Sequence, residues 1–189
     1  MDETYVLKAQ KEIRTYAYLI MASYDSLEKA RQIEEGSFYQ RLSALLFSAF
    51  ALEAFMNHIG ERKIEFWEDI ETINPLSKLR IIYHYMGLDF DSSKRPIQTV
   101  KKINKLRNFM VHGKTIWVKN EGYRKTSTYQ KGEKLVEAKW ERLCNDQKES
   151  EEAVEDIKSI INNIADVAGI DKLMLYSPSS GSFTIGKKT

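Results

Sequence analysis

One arginine, one asparagine and one histidine lie within six residues of each other in the stretch 97–114, IQTVKKINKLRNFMVHGK: Arg107, Asn108 and His112. These are the residue types needed to cut a phosphodiester without a metal. Attack by the 2′-hydroxyl of RNA needs a group that takes or gives protons at that hydroxyl and at the leaving oxygen. It also needs positive charge where the phosphate gains anionic character. A histidine titrates near pH ~6.5 and serves both proton steps, while an arginine stays charged and meets phosphate oxygens two at a time. Asn108 would add a neutral hydrogen bond. No H-E-x-x-H, paired histidines or glycine-rich phosphate loop occurs, so zinc hydrolysis and P-loop chemistry are not indicated, and no cofactor is called for.

Helices must position these groups. Pro96 is a natural first-turn residue and Gly113 a natural stop, and Ile97, Val100, Ile103 and Val111 recur at helical spacing between them. Arg107 then falls in the middle of the apolar face, between Ile103 and Val111, with Asn104 and Asn108 on its flank. A buried guanidinium without a partner is costly, so Arg107 must meet a carboxylate or line a solvated cleft. Upstream, Phe38–Ile59 is apolar almost all round and reads as a central helix ended by Gly60. Glu53 lies within about 20° of the middle of its most crowded face. The two charges are opposite, which predicts a Glu53–Arg107 pair, with Arg107, Asn108 and His112 converging near one helix end.

The run Arg107-Asn108-Phe109-Met110-Val111-His112 resembles the R-N-x-x-x-H signature of HEPN domains (higher eukaryotes and prokaryotes nucleotide-binding), many of which are metal-independent RNases. The helix LFSAFALEAFMNHIG is similar to that family's second core helix, with Glu53 where these domains often carry an acid. The resemblance covers roughly residues 16–113 and a closing helix 150–168. It implies a metal-independent endoribonuclease, a toxin or defence effector, with Arg107, His112 and Asn108 catalytic and Glu53 and Asn104 supporting. RNA would be held by Lys101, Lys105 and Lys114, from the basic set that also includes Lys94, Arg95 and Lys102. It further implies a homodimer, because one chain supplies one Arg and one His, with Leu106 and Phe109 facing away from the core as the contact. An antitoxin or regulatory protein is a further implied partner. The pattern departs in one place. Members paired with a minimal nucleotidyltransferase commonly carry a modified tyrosine two residues after the histidine, where this chain has Lys114, so that form of neutralisation is not available. Two alternatives stand beside the enzyme: a non-catalytic HEPN-like nucleotide- or RNA-binding or regulatory module, and a helical adaptor binding protein through 115–140.

The chain has 189 residues, 42% hydrophobic and 30% charged with a net charge of +2, which suits one globular domain and announces no polyanion partner globally. Cys144 is the sole cysteine, so there is no intrachain disulfide and no C-x-x-C framework. The start MDETYVLKAQKEIR lacks the basic-then-apolar order of a signal peptide, and the longest apolar run is broken by Ser48 and Glu53. A cytoplasmic location with no membrane span is the expectation.

The fold class predicted is all-α, an up-and-down bundle of four core helices with a small antiparallel β-hairpin or flap before the last helix. A first amphipathic helix is read over 4–34 and a loosely attached segment over 61–71. Asn74-Pro75 opens a helix running to the stop at Gly87. The β-branched and aromatic runs in 115–149 mark the insertion, with Lys119, Arg124, Lys125, Lys131 and Lys134 alternating with Trp117, Tyr123 and Tyr129. Ser150 with Glu151 and Glu152 opens the last helix, stopped by Gly169. Residues 1–169 form the domain, and the Ser/Gly-rich 170–189 reads as a flexible tail.

Overall fold

The computed structural model describes residues 5–119 and 136–187, in the order β1 (Tyr5–Ile13), α1 (Thr15–Gln32), α2 (Ser37–Lys63), α3 (Trp67–Ile70), α4 (Pro75–Tyr85), α5 (Ile97–His112), α6 (Lys139–Asn145), α7 (Gln147–Ala168), α8 (Lys172–Leu175) and β2 (Ser179–Lys187). Among the described residues the protein is mostly helical, with eight helices and one two-stranded antiparallel sheet.

The centre is α2, whose Leu45, Leu52, Phe55, Met56 and Ile59 are buried on more than one side by α1, α4, α5 and α7. By length and composition this helix could cross a bilayer, and here half of that apolar stretch is buried inside the fold. Along α1, Tyr16, Ile20, Ser23, Leu27 and Ala30 are buried at alternating steps of three and four, the spacing that lays a straight seam against a neighbouring helix. The hydroxyl of Ser23 donates to the carbonyl of Ala44 at 2.8 Å and locks the relative height of α1 and α2. Asn74 caps α4 by accepting from the amide of Ser77 at 3.0 Å, with Pro75 in the first turn, as its dipeptide predicts.

Several expectations are overturned. The predicted helix over 4–34 begins only at Thr15. Residues 5–13 instead form β1, paired in antiparallel register with β2 from Tyr5↔Lys187 to Ile13↔Ser179. The segment alternates, with Leu7, Ala9 and Ile13 on one face and Lys8, Gln10 and Glu12 on the other. Its partner lies at the opposite end of the sequence, where local periodicity cannot find it. The tail read as flexible thus carries α8 and β2. Arg14, only 4% exposed, fastens the base of this ribbon by donating to the carbonyl of Ser177, the hydroxyl of Ser180 and the carboxylate of Glu12.

Gly60 does not end α2. A Cβ there would stand 2.1 Å from the indole of buried Trp67, so the glycine admits the ring of α3 against the helix backbone. That close approach also makes 61–71 a packed segment rather than a loose one. Gly113 follows the last residue of α5 with φ −61°, outside the left-handed region, and a Cβ there would sit 2.4 Å from the carbonyl oxygen of Phe109. Of the predicted flap, 115–118 carries no strand, Lys139 and Trp140 open α6, and 120–135, with its turn and Tyr123, Arg124, Lys125, Tyr129, Lys131 and Lys134, lies outside the described residues. Among the described residues the small sheet is the terminal ribbon. The helix expected to open at Ser150 is α7, which starts at Gln147, capped by Asp146, which accepts from the amide of Glu149 at 2.9 Å. Ser150 is fully buried, its hydroxyl between the carbonyls of Leu143 at 2.6 Å and Asp146 at 2.8 Å.

Candidate functional site

The inner face of α5 is formed by Ile97, Thr99, Val100, Ile103 and Leu106. Arg107 sits at the edge of that face, 29% exposed, and its guanidinium lies 3.5 Å from the carboxylate of Glu53, itself 28% exposed. The opposite charges on α2 and α5 therefore do meet, in a position that water reaches rather than in the sealed interior expected. The other carboxylate oxygen of Glu53 is 3.5 Å from the ammonium of Lys78, which is 2% exposed and donates to Asn57 at 3.1 Å. One carboxylate thus serves two cations, and the cluster keeps one uncancelled positive charge.

The contacts are loose on the arginine side. At 3.5 Å the Glu53 separation exceeds that of a strong charge-assisted hydrogen bond. Among the described residues the guanidinium donates once, from Nη1 to the Oδ1 of Asn108 at 3.0 Å, and its Cζ stands 6.0 Å from the Phe50 ring centroid. Its Nε is buried without a hydrogen-bond partner among the described residues. A guanidinium carries five donors, so most of its fork is unengaged.

Arg107 and Asn108 are brought together; His112 lies one turn beyond Asn108, about 40° around the helix from it, and is not brought to Arg107. As α5 stays helical through His112, the five-residue step turns the histidine about 140° away from the arginine. It ends exposed, without a hydrogen bond to another described residue. Convergence of all three within one chain is therefore not what the helix delivers. Val111, placed on the apolar face by its spacing, is 56% exposed, because the core beneath α5 ends near Leu106 and Met110. Leu106 is 1% exposed and Phe109 stacks on Trp140 of α6 with centroids 5.4 Å apart. Leu106 is thus taken up by its own core and is not free for the expected dimer contact, while Phe109 stays half-buried.

The basic residues upstream of the signature are largely tied to other parts of the chain. Arg95 donates to Asp156 at 2.7 Å and to Glu152 at 2.8 Å on α7, Lys102 pairs with Glu149 at 2.8 Å, and Lys94 pairs with Asp91 at 3.2 Å. Lys101 donates to the carbonyl of Ser92 at 2.7 Å. Lys105 and Lys114 are exposed, and neither forms an ion pair with a described residue; Asn104 is half-buried on the flank of α5. Sequence reasoning missed Lys78. The signal was present, since Lys78 stands one turn before Ile82 on α4, but it lies at the rim of the apolar pattern where a lysine is ordinarily a solvated edge. Among the described residues no group of three or more His, Cys, Asp or Glu is placed to hold a metal ion.

Cys144 is fully buried, its thiol pushed up to about 11 by desolvation, which suits a core side chain rather than a nucleophile. His58, packed 4.9 Å from the Tyr16 ring, is held below the ordinary histidine value, first by burial and then by the charge of Arg62. In comparisons with known proteins the chain matches no family model, no curated protein and no solved structure.

Proposed function

We propose that this chain is a metal-independent endoribonuclease of the HEPN type, a toxin or defence effector that cuts RNA by 2′-hydroxyl attack. The observation that carries this is the state of Arg107. It is partly open to solvent, shares Glu53 with Lys78, and keeps most of its donors unengaged on the helix that ends in His112. A phosphate is the ligand that such a fork fits two oxygens at a time. His112 would carry the proton between the 2′-hydroxyl and the leaving oxygen, with Asn108 holding the guanidinium in place.

Because Arg107 and His112 diverge around α5, the site would be composite, one protomer's histidine meeting its partner's arginine across a two-fold axis. The matching fold is an up-and-down bundle of four core helices, α1, α2, α5 and α7, with α3, α4, α6 and the ribbon attached. RNA is the proposed partner, in a cytoplasmic setting, with an antitoxin or regulatory protein to restrain it. A second reading has one specific support. Lys78 is almost wholly buried beside Glu53, as it would be if the cluster existed to pack α2, α4 and α5 in a non-catalytic module.

Incubating the pure protein with total RNA under chelator decides between them. Cleavage is expected, with His112→Ala folding like the parent and losing nearly all of it. A folded His112→Ala protein that cuts at the parent's rate removes the histidine from the chemistry, and no cleavage by the parent leaves the packing module.

A further inference from the structure

We infer that the groove between α5, the segment 116–119 and the start of α6 binds single-stranded RNA, with bases stacking on Trp117 and phosphates held by Lys105, Lys119 and Lys139. It rests on the ribonuclease proposal for where the strand goes next, but not for the binding itself.

Aromatic rings and lysines share this groove. Trp117 is 89% exposed and lines the groove together with Phe109, which stacks on Trp140. Lys105, Lys119 and Lys139 are exposed and form no ion pair with a described residue. Of the two acids that line the groove, Glu149 is paired with Lys102 at 2.8 Å, while Glu137 accepts from the side-chain amide of Asn145 and keeps its charge, which the three unpaired lysines outnumber. Uncancelled cations beside an exposed indole match a chain that carries a charge and a π-face at every unit. Duplex RNA fits poorly, because its bases are already stacked on one another.

The groove also lies on the histidine's side of α5. His112 is about 20° around the helix from Lys105 and about 60° from Phe109, against about 140° from Arg107. A strand lying along Lys105 and Phe109 would run toward the exposed imidazole.

The test uses a fluorescently labelled 2′-O-methyl oligonucleotide of mixed sequence, which has no 2′-hydroxyl to attack, so binding is read by anisotropy without cleavage. Binding should weaken with salt at a logarithmic slope of about −2 for three phosphate contacts. Trp117→Ala should lose roughly tenfold in affinity. Lys119→Glu with Lys139→Glu should lose at least as much. Circular dichroism of the parent and variants should superimpose, since each substituted side chain is exposed. The inference is overturned if the oligonucleotide does not bind, if Trp117→Ala binds as tightly as the parent, or if a duplex or poly-glutamate competes as well as the single strand. Binding of the 2′-O-methyl strand with no cleavage of ordinary RNA would remove the enzyme and keep the groove. Cleavage unchanged in Trp117→Ala would do the reverse.

Discussion

At the scale of single residues, Lys78 decides how much Glu53 matters. Removing the carboxylate leaves Arg107 partly in water but strands an ammonium that is 2% exposed, with Asn57 its one remaining polar partner among the described residues. Glu53→Ala should therefore cost roughly 2–3 kcal/mol, below the 3–5 of a fully buried pair because solvent reaches the carboxylate. Lys78→Met in the Glu53→Ala background should recover much of the loss, whereas Arg107→Met should not, as urea midpoints would read. His58 makes a second case. Burial against Tyr16 and the charges of Arg62 and Arg14 disfavour its protonation, while Glu12 and Glu61 oppose them. Its folded value lies below the unfolded one near 6.5, so between the two the unfolded state binds more protons. That share of stability is present above pH ~6.5 and is lost as pH falls toward the folded value. The urea midpoint should decline through that window, and His58→Asn should flatten the decline.

At the scale of elements, two arrangements give the helices their positions. Along the α5–α7 seam, Arg95, Lys102 and Thr99 reach Asp156, Glu152 and Glu149, so a basic helix face is neutralised by an acidic one rather than presented to a polyanion. The other is the seat of α3 on α2. Gly60→Ala places a Cβ 2.1 Å from the Trp67 ring, which is walled in by the core and cannot swing into solvent. We expect a cost at or above the upper end of the roughly 1–3 kcal/mol typical of overpacking, seen as a lowered thermal midpoint. A change within a few tenths of a kcal/mol would mean that α3 rides loosely on α2.

At the scale of the whole molecule, the divergence of Arg107 and His112 predicts complementation between chains. Arg107→Ala and His112→Ala proteins, each inactive alone, should recover about a quarter of parental RNA cleavage when unfolded and refolded together, because each mixed dimer holds one intact composite site. No recovery, or a monomer by light scattering at working concentration, would place the two residues in separate roles.

What the sequence determined by itself was the local and periodic part. The start of α4 at Asn74-Pro75, the seam of α1 from Tyr16 onward, the buried character of α2 and the opposed charges at Glu53 and Arg107 all follow from residue types at fixed spacing. Tertiary structure alone decided whatever depends on a partner far away in the chain. Residues 5–13 are a strand because 179–187 lie beside them, and Gly60 is a contact because Trp67 returns to it. Leu106 faces its own chain because the core covers it, and Phe109 is half-buried because Trp140 of α6 stacks on it. Periodicity tells which face of an element is apolar, but it does not say what covers that face or where the core ends. This is why the spacing places Val111 inside, and why the burial of Lys78 and the charge left uncancelled around Arg107 emerge only once α2, α4 and α5 stand together.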